Sequence, residues 1–424
     1  MSELTAQSAL RPFLVLTALR WLPPGLLMPV LVLLPLNRGL SVSEIGLALS
    51  FQGFVVLAIE VPTGGLADSI GRRRVLLAST AASFVSIGVF ALADNFAVLA
   101  CAATLLGVYR ALDSGPLEAW YIDECHARDP QARIDIGIGW QNTVIGISMG
   151  LGGLASAALV TWKPVPAIEP LLVPVLMSLV VQVVGAAAIW ALMEERRPAS
   201  SGATGIDRLW SDARQTPHTI ASGVRLIRAS PVLMALVSVE IFWGFGSATF
   251  ENLFPVRLAE VTVTPESAAA ITGIAVAVGW LASSVGAVST ARLAQRWGTV
   301  EVALVLRVLQ GATVAGMGLF AGAAGVLAAY VACYLVHGTS NAAHMTLLHR
   351  HATGEVRTTV ISVNSMMAQG AGAIGLIMLS SVADRASVSA AMYVGGLVLA
   401  AAAPLYLFAR RTERTSRQAV RIRR

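Results

Sequence analysis

The sequence predicts an all-α integral membrane protein whose twelve transmembrane helices form two pseudo-symmetric six-helix bundles. Of its 424 residues, 56% are hydrophobic and only 13% are charged, whereas soluble domains carry about 25% charged residues. Apolar stretches of roughly 20 residues, the length that crosses a bilayer, follow one another along the chain. One long polar interval separates six such stretches from the next six. We place the helices at 12–35, 41–63, 73–93, 96–121, 134–160, 170–193, 230–256, 267–290, 299–320, 324–348, 358–383 and 388–409.

Basic residues predict which side of the membrane each loop faces. The termini and the loops on their side carry 23 of the 30 Lys and Arg residues, and the opposite loops carry 4. Because cytoplasmic loops are enriched in Lys and Arg, we expect a multi-pass protein of the cell (inner or plasma) membrane with both termini in the cytoplasm. The first apolar stretch contains Pro23 and Pro24 and is too long for a cleavable signal peptide, so we expect none.

The polar interval predicts the domain organisation. It opens with the flexible composition ERRPASSGATG and continues with Ile220, Val224 and Ile227 at helical spacing. This pattern favours a helix lying on the inner membrane face, and an unstructured linker is the alternative. We therefore predict an N-terminal six-helix bundle (1–193), a cytoplasmic linker with an interfacial helix (194–229), a C-terminal six-helix bundle (230–409) and a basic cytoplasmic tail (410–424).

The two halves repeat weakly in sequence. The segment ARLAQRWG, which ends at Gly298, follows the eighth predicted helix, just as a similar segment ending at Gly71 follows the second. The offset of 227 also aligns His337 with Arg110. Repeats of this kind are typical of transporters whose binding sites lie at the bilayer midplane.

Residues 64–76 read GGLADSIGRRRVL and lie between two long apolar stretches. Glycine permits a tight turn, Asp68 can accept hydrogen bonds at a helix end, and an arginine cluster is typical of a cytoplasmic loop. The string resembles the loop between the second and third helices of the major facilitator superfamily, G-x-L-a-D-r-x-G-r-[KR], although Ser69 stands where a basic residue is usual. A basic turn without a special role is the alternative. The preceding string EVPTGGLAD resembles bacterial drug exporters, which implies a proton antiporter. The resemblance implies an inner-gate motif made of Glu60, Gly64, Asp68, Gly71, Arg72, Arg73 and Arg74.

The fourth predicted helix carries Arg110 in the string LGVYRALDSG. A charge inside the bilayer costs about 2.5–3.5 kcal/mol on insertion scales, so it requires a partner or water. Arg110 and Asp113 are three residues apart and share a helix face, so they could pair. The string resembles the superfamily's fourth-helix motif, which implies that Arg110 and Asp113 take part in proton coupling. A purely structural ion pair is the alternative.

The seventh predicted helix carries Glu240 well inside its apolar core. Glu240, Trp243, Ser247 and Glu251 share one helical stripe. A buried carboxylate without a fixed cation is costly to keep ionised, the property that a proton carrier needs. We therefore predict that Glu240 couples transport to protons. A static pair with Arg20 or Arg307 is the alternative.

A set of polar and aromatic residues within the apolar stretches predicts a substrate cavity. Arg20 could attract an anionic substrate, or its side chain could extend to the inner surface instead. Arg307 and Glu301 are expected in an inner charge network. For the other polar residues, ordinary helix packing is the alternative. The predicted cavity residues are Arg20, Gln52, Asn142, Trp243, Glu251, His337 and Asn341.

The fifth predicted helix contains the string GISMGLGG. Gly146, Gly150 and Gly153 form a small-residue stripe that lets helices approach closely. The string resembles the antiporter signature of exporters, G-x-x-x-G-P-x-x-G-G, but Leu151 replaces the proline. Close packing without an export role is the alternative.

These features predict a secondary active transporter that exports a small organic or amphipathic compound in exchange for protons by alternating access. An importer (symporter or uniporter) of a sugar or organic acid is the alternative, and a non-transporting membrane sensor is a further one. We expect no enzymatic activity because the sequence carries no catalytic or nucleotide-binding motif. We also expect a monomer that contacts a small-molecule substrate, protons and the lipid bilayer, without nucleic acid or cofactor. His344, His349 and His351 lack further metal ligands at suitable spacing, so no metal site is predicted.

Overall fold

The regular secondary structure of the computed structural model is helical. It describes residues 2–63, 67, 70–129, 131–194, 225, 227–352 and 356–410, and within these ranges we find no strand. Eleven helices of the described residues are long and apolar enough to cross a membrane. The predicted all-α membrane fold is confirmed.

Twelve long helical segments follow one another in the described part of the chain, here labelled α1 to α12. Three of them are interrupted: α4 restarts at Pro116, α7 contains one π-helical turn at Thr249–Leu253, and α12 continues after a 3-10 turn as far as Arg410. The bounds are α1 Ser2–Leu27, α2 Val42–Thr63, α3 Arg72–Ala91, α4 Phe96–Asp113 and Pro116–Arg128, α5 Ile134–Trp162, α6 Val173–Leu192, α7 Pro231–Ala248 and Phe254–Val261, α8 Pro265–Trp297, α9 Thr299–Leu319, α10 Ala323–His351, α11 Val356–Arg385 and α12 Val388–Ala401 with a 3-10 turn at Ala403–Leu405.

The first helix differs most from its prediction. It covers Ser2–Leu27 instead of 12–35, and a separate short helix, Leu33–Asn37, follows it. Pro23 and Pro24 lie inside α1. This helix is outside the set of eleven apolar spans, because two arginines and three prolines make it less apolar than its neighbours.

The helices divide into two compact units. Unit 1 comprises Met1–Thr216 and Val263–Trp280, and unit 2 comprises Pro217–Thr262 and Leu281–Arg424. In unit 1, α1 packs on α5 and α6, and α4 packs on α2 and α3. In unit 2, α7 packs on α11, and α9 packs on α10 and α12. Helix α8 contributes its first part to unit 1 and its remainder to unit 2, so the predicted division at 194–229 stays a prediction.

Gly71 and Gly298 give the sequence repeat a structural counterpart. Both precede a helix with nearly the same positive-φ backbone, φ 105° and ψ 138° at Gly71 and φ 95° and ψ 144° at Gly298. Each N–H donates to the carbonyl four residues earlier, and each carbonyl accepts from the N–H four residues later. Helices α3 and α9 therefore begin at positions separated by the predicted offset, as α4 and α10 do.

Several predicted features lie outside the described residues. They are Gly64, Asp68 and the side chain of Glu60 in the inner-gate motif, most of the linker, and the tail after Arg410. In the predicted linker helix, Arg225 and residues 227–229 are described and are helical.

Candidate functional site

The fourth helix breaks where its polar residues lie. The first segment ends at Asp113, Gly115 adopts a left-handed backbone with φ 91°, and Pro116 begins the second segment. Glycine tolerates this conformation without steric cost. Proline suits the first turn of a helix, where its missing N–H would have no partner. The string DSGP therefore ends one helix and starts the next, which exposes the last carbonyl groups of the first segment.

Arg20 binds this helix end. Its Nε donates to the Asp113 carboxylate at 3.0 Å, and its Nη2 forms an ion pair with the same carboxylate and donates to the Asp113 main-chain carbonyl at 2.9 Å. Ser79 Oγ adds a third donor to that carboxylate at 3.4 Å. A guanidinium at a helix C-terminus satisfies free carbonyls and complements the helix dipole. The prediction that Asp113 pairs with Arg110 is therefore wrong, because Arg20 occupies Asp113.

Three polar residues around the break in α4 are exposed. Arg110 lies before the break, Ser114 within it and Glu118 after it. Glu118 accepts a hydrogen bond from Gln141 Nε2 of α5 at 2.9 Å. Within the described part of the chain, the Arg110 guanidinium has no hydrogen-bond acceptor.

The described arginines of the predicted inner-gate motif contact neighbouring helices of unit 1. Arg72 pairs with Asp123 of α4 at 2.5 Å. Arg73 Nη2 donates to the Trp190 carbonyl at 2.6 Å, and its guanidinium lies over the Trp190 ring. Arg74 is exposed. These contacts tie the start of α3 to α4 and α6.

Unit 2 contains a larger polar cluster that begins at Glu240 on α7. Residue Glu240 is 7% exposed, and His344 of α10 is fully buried beside it. The distance from His344 Nε2 to Glu240 Oε1 is 3.3 Å. The sequence-based alternatives paired Glu240 with Arg20 or Arg307, but its observed neighbour is this histidine.

Tyr406 and Arg307 hold the other side of His344. The His344 Nδ1 lies 3.1 Å from the Tyr406 hydroxyl, which also accepts from Arg307 Nη2 at 3.3 Å. Arginine can only donate, so the tyrosine proton is free to point at His344 Nδ1. The neutral imidazole then carries its own proton on Nε2, the nitrogen that faces Glu240.

The cluster continues from Arg307 to Trp243. Arg307 Nη1 donates to Gln310 Oε1 at 2.9 Å, which turns the Gln310 amide nitrogen towards His337 Nδ1 at 3.4 Å. An amide nitrogen only donates, so His337 accepts at Nδ1 and carries its proton on Nε2. The His337 ring stacks on Trp243 at a centroid distance of 5.5 Å. The contacts thus lead from Glu240 through α10, α12 and α9 back to α7.

Sequence reasoning placed some members of this cluster incorrectly. Arg307 was expected in an inner charge network, yet it is only 1% exposed and lies inside the cluster. Glu301 does pair with Arg410 at 3.0 Å. His344 was considered only as a metal ligand. Its spacing of seven residues from His337, which puts both on one face of α10, was the signal that could have identified it.

The remaining predicted cavity residues lie elsewhere on their helices. The side chain of Asn142 bonds to the Ile138 carbonyl of its own helix at 3.4 Å. Gln52 is half-buried, Asn341 is exposed, and Glu251 is exposed at the π-helical turn of α7.

The glycines of α5 contact two different helices. A Cβ at Gly152 would approach the Leu22 carbonyl of α1 to 2.7 Å, and one at Gly153 would approach the Gly273 carbonyl of α8 to 2.6 Å. Gly150 lies at ordinary van der Waals distance from Ala277, and Gly146 is half-buried. Adjacent glycines therefore give α5 two close contacts within unit 1.

The all-helical membrane fold, the repeat and the buried ionisable clusters define a transporter-like membrane protein. Residues 13–376 match the sequence profile of the Major Facilitator Superfamily. The chain belongs to this family of transmembrane transporters. A search of curated protein sequences gave no match.

Solved structures of transporters share the fold. A bacterial homologue of the human lysosomal transporter Spinster, in an inward-facing and unoccupied conformation, aligns with a TM-score of 0.74 and 15% identity over 96% of this chain and 97% of that one. A variant of the nucleoside transporter NupG gives 0.72 and 11% over 94% and 99%. A POT family transporter in complex with 5-aminolevulinic acid gives 0.70 and 14% over 95% and 98%. At such low sequence identity, the structural similarity establishes the fold alone.

Proposed function

We propose that this protein is a secondary active transporter that exchanges protons for a small organic compound, and that export is its direction. The observation that carries the proposal is the buried contact between Glu240 and His344, two groups that can each gain or lose a proton. Charged groups inside a membrane protein are costly and mark ion and substrate pathways. An enzymatic role is not proposed, because transport alone accounts for these groups.

The cluster has a charge balance that depends on one proton. Arg307 is always charged, and an ionised Glu240 neutralises it while His344 stays neutral. One added proton, on Glu240 or on His344, leaves the buried cluster with a net positive charge. Such an unbalanced state is costly in a low-dielectric interior, so the buried arrangement favours release of the proton. A second conformation that opens the cluster to water would take the proton up, and the return to the buried arrangement would release it.

We also propose a direction of transport and a membrane location. The glycine-rich α5 and the motif at residues 60–71 favour export of an amphipathic compound. Import of a sugar or an organic acid is the second candidate, and transport proteins for nucleosides and peptides share the fold.

We further propose a monomer in the cell membrane with both termini in the cytoplasm. Cysteines placed in the loop after Trp162 or after Arg410 test this topology, since only the former would react from outside.

A transport assay in proteoliposomes tests the proton exchange. A panel of compounds is first screened in cells for depletion or accumulation, which distinguishes export from import. The selected compound is then followed in proteoliposomes with imposed pH gradients. We expect flux that reverses with the sign of the gradient, together with proton movement in the opposite direction.

The Glu240→Gln variant provides the specific test. It should lose the response to the pH gradient yet still exchange labelled for unlabelled compound. Glu260→Gln is the matched control, because Glu260 lies on the same helix, is exposed and pairs with its near neighbour Arg257. A wild-type flux that ignores the gradient, or a Glu240→Gln variant that still follows it, would contradict the proposal.

A further inference from the structure

Arg110 is a positive charge within a membrane-spanning segment that pairs with no carboxylate of the described residues. Arg110 lies near the middle of the span Phe96–Ala127 and is exposed. Within the described ranges it has no hydrogen-bond acceptor. A charged group at this depth does not face lipid without a large cost, so its exposed side faces water.

The carboxylate closest in sequence is already occupied. Asp113 is one turn from Arg110 and would be its natural partner on the helix face. Instead, Arg20 binds both the Asp113 carboxylate and the Asp113 main-chain carbonyl, and Ser79 donates to the same carboxylate. Arg20 therefore keeps Asp113 away from Arg110.

The next carboxylate along α4 is also occupied. Glu118 lies beyond the break in α4, in the segment that starts at Pro116. It accepts a hydrogen bond from Gln141 of α5. Among the described residues, the Arg110 guanidinium therefore keeps donors that match the geometry of a carboxylate.

We propose that Arg110 binds the anionic group of the transported compound, and that this compound is an organic carboxylate. The proposal rests on the transport function proposed above. Arg20 takes part indirectly, since it occupies Asp113 and so leaves Arg110 available. Hydrogen bonds between a guanidinium and a carboxylate are charge-assisted and therefore stronger than those to a neutral amide.

Modification of the wild-type protein tests the site directly. The full chain in neutral phosphatidylcholine vesicles is treated with phenylglyoxal, which reacts with accessible arginines, and the modified residues are mapped by mass spectrometry. Carboxylates and their primary amides are added in matched pairs, beginning with benzoate and benzamide. We expect Arg110 to react and Arg20 to be protected, and we expect at least one carboxylate, but not its amide, to slow the reaction at Arg110. An unreactive Arg110, or equal effects of acid and amide across the panel, would overturn the proposal.

Substitutions supply the second measurement. Arg110→Gln should weaken binding of the protecting carboxylate by about tenfold or more while binding of the amide is unchanged. Arg133→Gln is the control, since Arg133 is exposed and pairs with its near neighbour Asp135. Arg20→Leu should also weaken carboxylate binding because Asp113 becomes free to pair with Arg110. Adding Asp113→Asn to Arg20→Leu should restore it, and a double variant that stays weak argues against competition by Asp113.

These results are separable from proton coupling. A transporter that binds carboxylates at Arg110 but ignores the pH gradient would refute the coupling and leave this site intact. A transporter whose flux follows the pH gradient but that binds acid and amide equally would support the coupling and refute this site.

Discussion

The imidazole Nε2 of His344 lies 3.3 Å from the carboxylate of Glu240, and both side chains are buried. Two groups that can exchange a proton therefore meet between α7 and α10. Tyr406 from α12 contacts His344, and Arg307 from α9 donates to the Tyr406 hydroxyl. The pair is thus a unit whose protonation is set by four helices of unit 2.

If the pair shares the transported proton, His344 is as necessary as Glu240. We predict that His344→Gln loses the response of transport to a pH gradient while exchange of labelled compound persists. His349→Gln is the control because His349 lies on the same helix and is exposed. In Glu240→Gln, which mimics a permanently protonated carboxyl group, exchange should no longer vary with pH and should match wild type at low pH. A His344→Gln variant that keeps its gradient response would show that Glu240 works alone.

The hydroxyl of Tyr406 should contribute measurably to stability. Tyr406→Phe keeps the ring but removes the group that accepts from Arg307 and contacts His344. The loss of one partner of a buried polar group costs about 1–3 kcal/mol. We expect a lower thermal midpoint in detergent, whereas Tyr393→Phe, at a site on α12 that is 44% exposed, should leave it unchanged. Equal midpoints for the two variants would mean that the hydroxyl is dispensable.

Local patterns explain what could be predicted from the sequence. Long apolar stretches fixed the existence of nearly every helix, and the glycine at the end of each repeated motif marked the start of α3 and α9. Glu240 could be identified alone, because a carboxylate in an apolar helix is unusual whatever its neighbours are. The sequence and the structure therefore agree on features that can be recognised within a single segment of the chain.

Partners across helices could not be predicted in the same way. Arg20 and Asp113 are 93 residues apart, and only the packing of α1 beside the broken α4 brings them together. Tyr406 resembled an ordinary tyrosine near a helix end, and its role depends on two helices that are distant in sequence. A single sequence supplies the ionisable groups, but the packing decides which of them pair.

The two repeated glycines should respond alike to substitution. Gly71 and Gly298 have φ values of 105° and 95°, where a side chain is strained by about 1–3 kcal/mol. We predict that Gly71→Ala and Gly298→Ala lower the thermal midpoint by similar amounts. Gly88→Ala is the control, since Gly88 lies within α3 and an added Cβ there meets open space. If Gly71→Ala lowers the thermal midpoint and Gly298→Ala does not, the two halves have diverged at this turn.

The contact between α5 and α8 should depend on the absence of side chains. At Gly153 an added Cβ would lie 2.6 Å from the Gly273 carbonyl and 3.1 Å from Val276 Cβ, too close for either to remain in place. Forcing an extra methyl group into a tight contact costs about 1–3 kcal/mol, so Gly153→Ala should lower the thermal midpoint and slow transport. Gly139→Ala on the same helix adds its methyl group to open space. That control should be neutral or gain up to about 1 kcal/mol, because alanine favours a helix over glycine. If both variants behave like wild type, the helices can separate at little cost and the glycines are not required for their close approach.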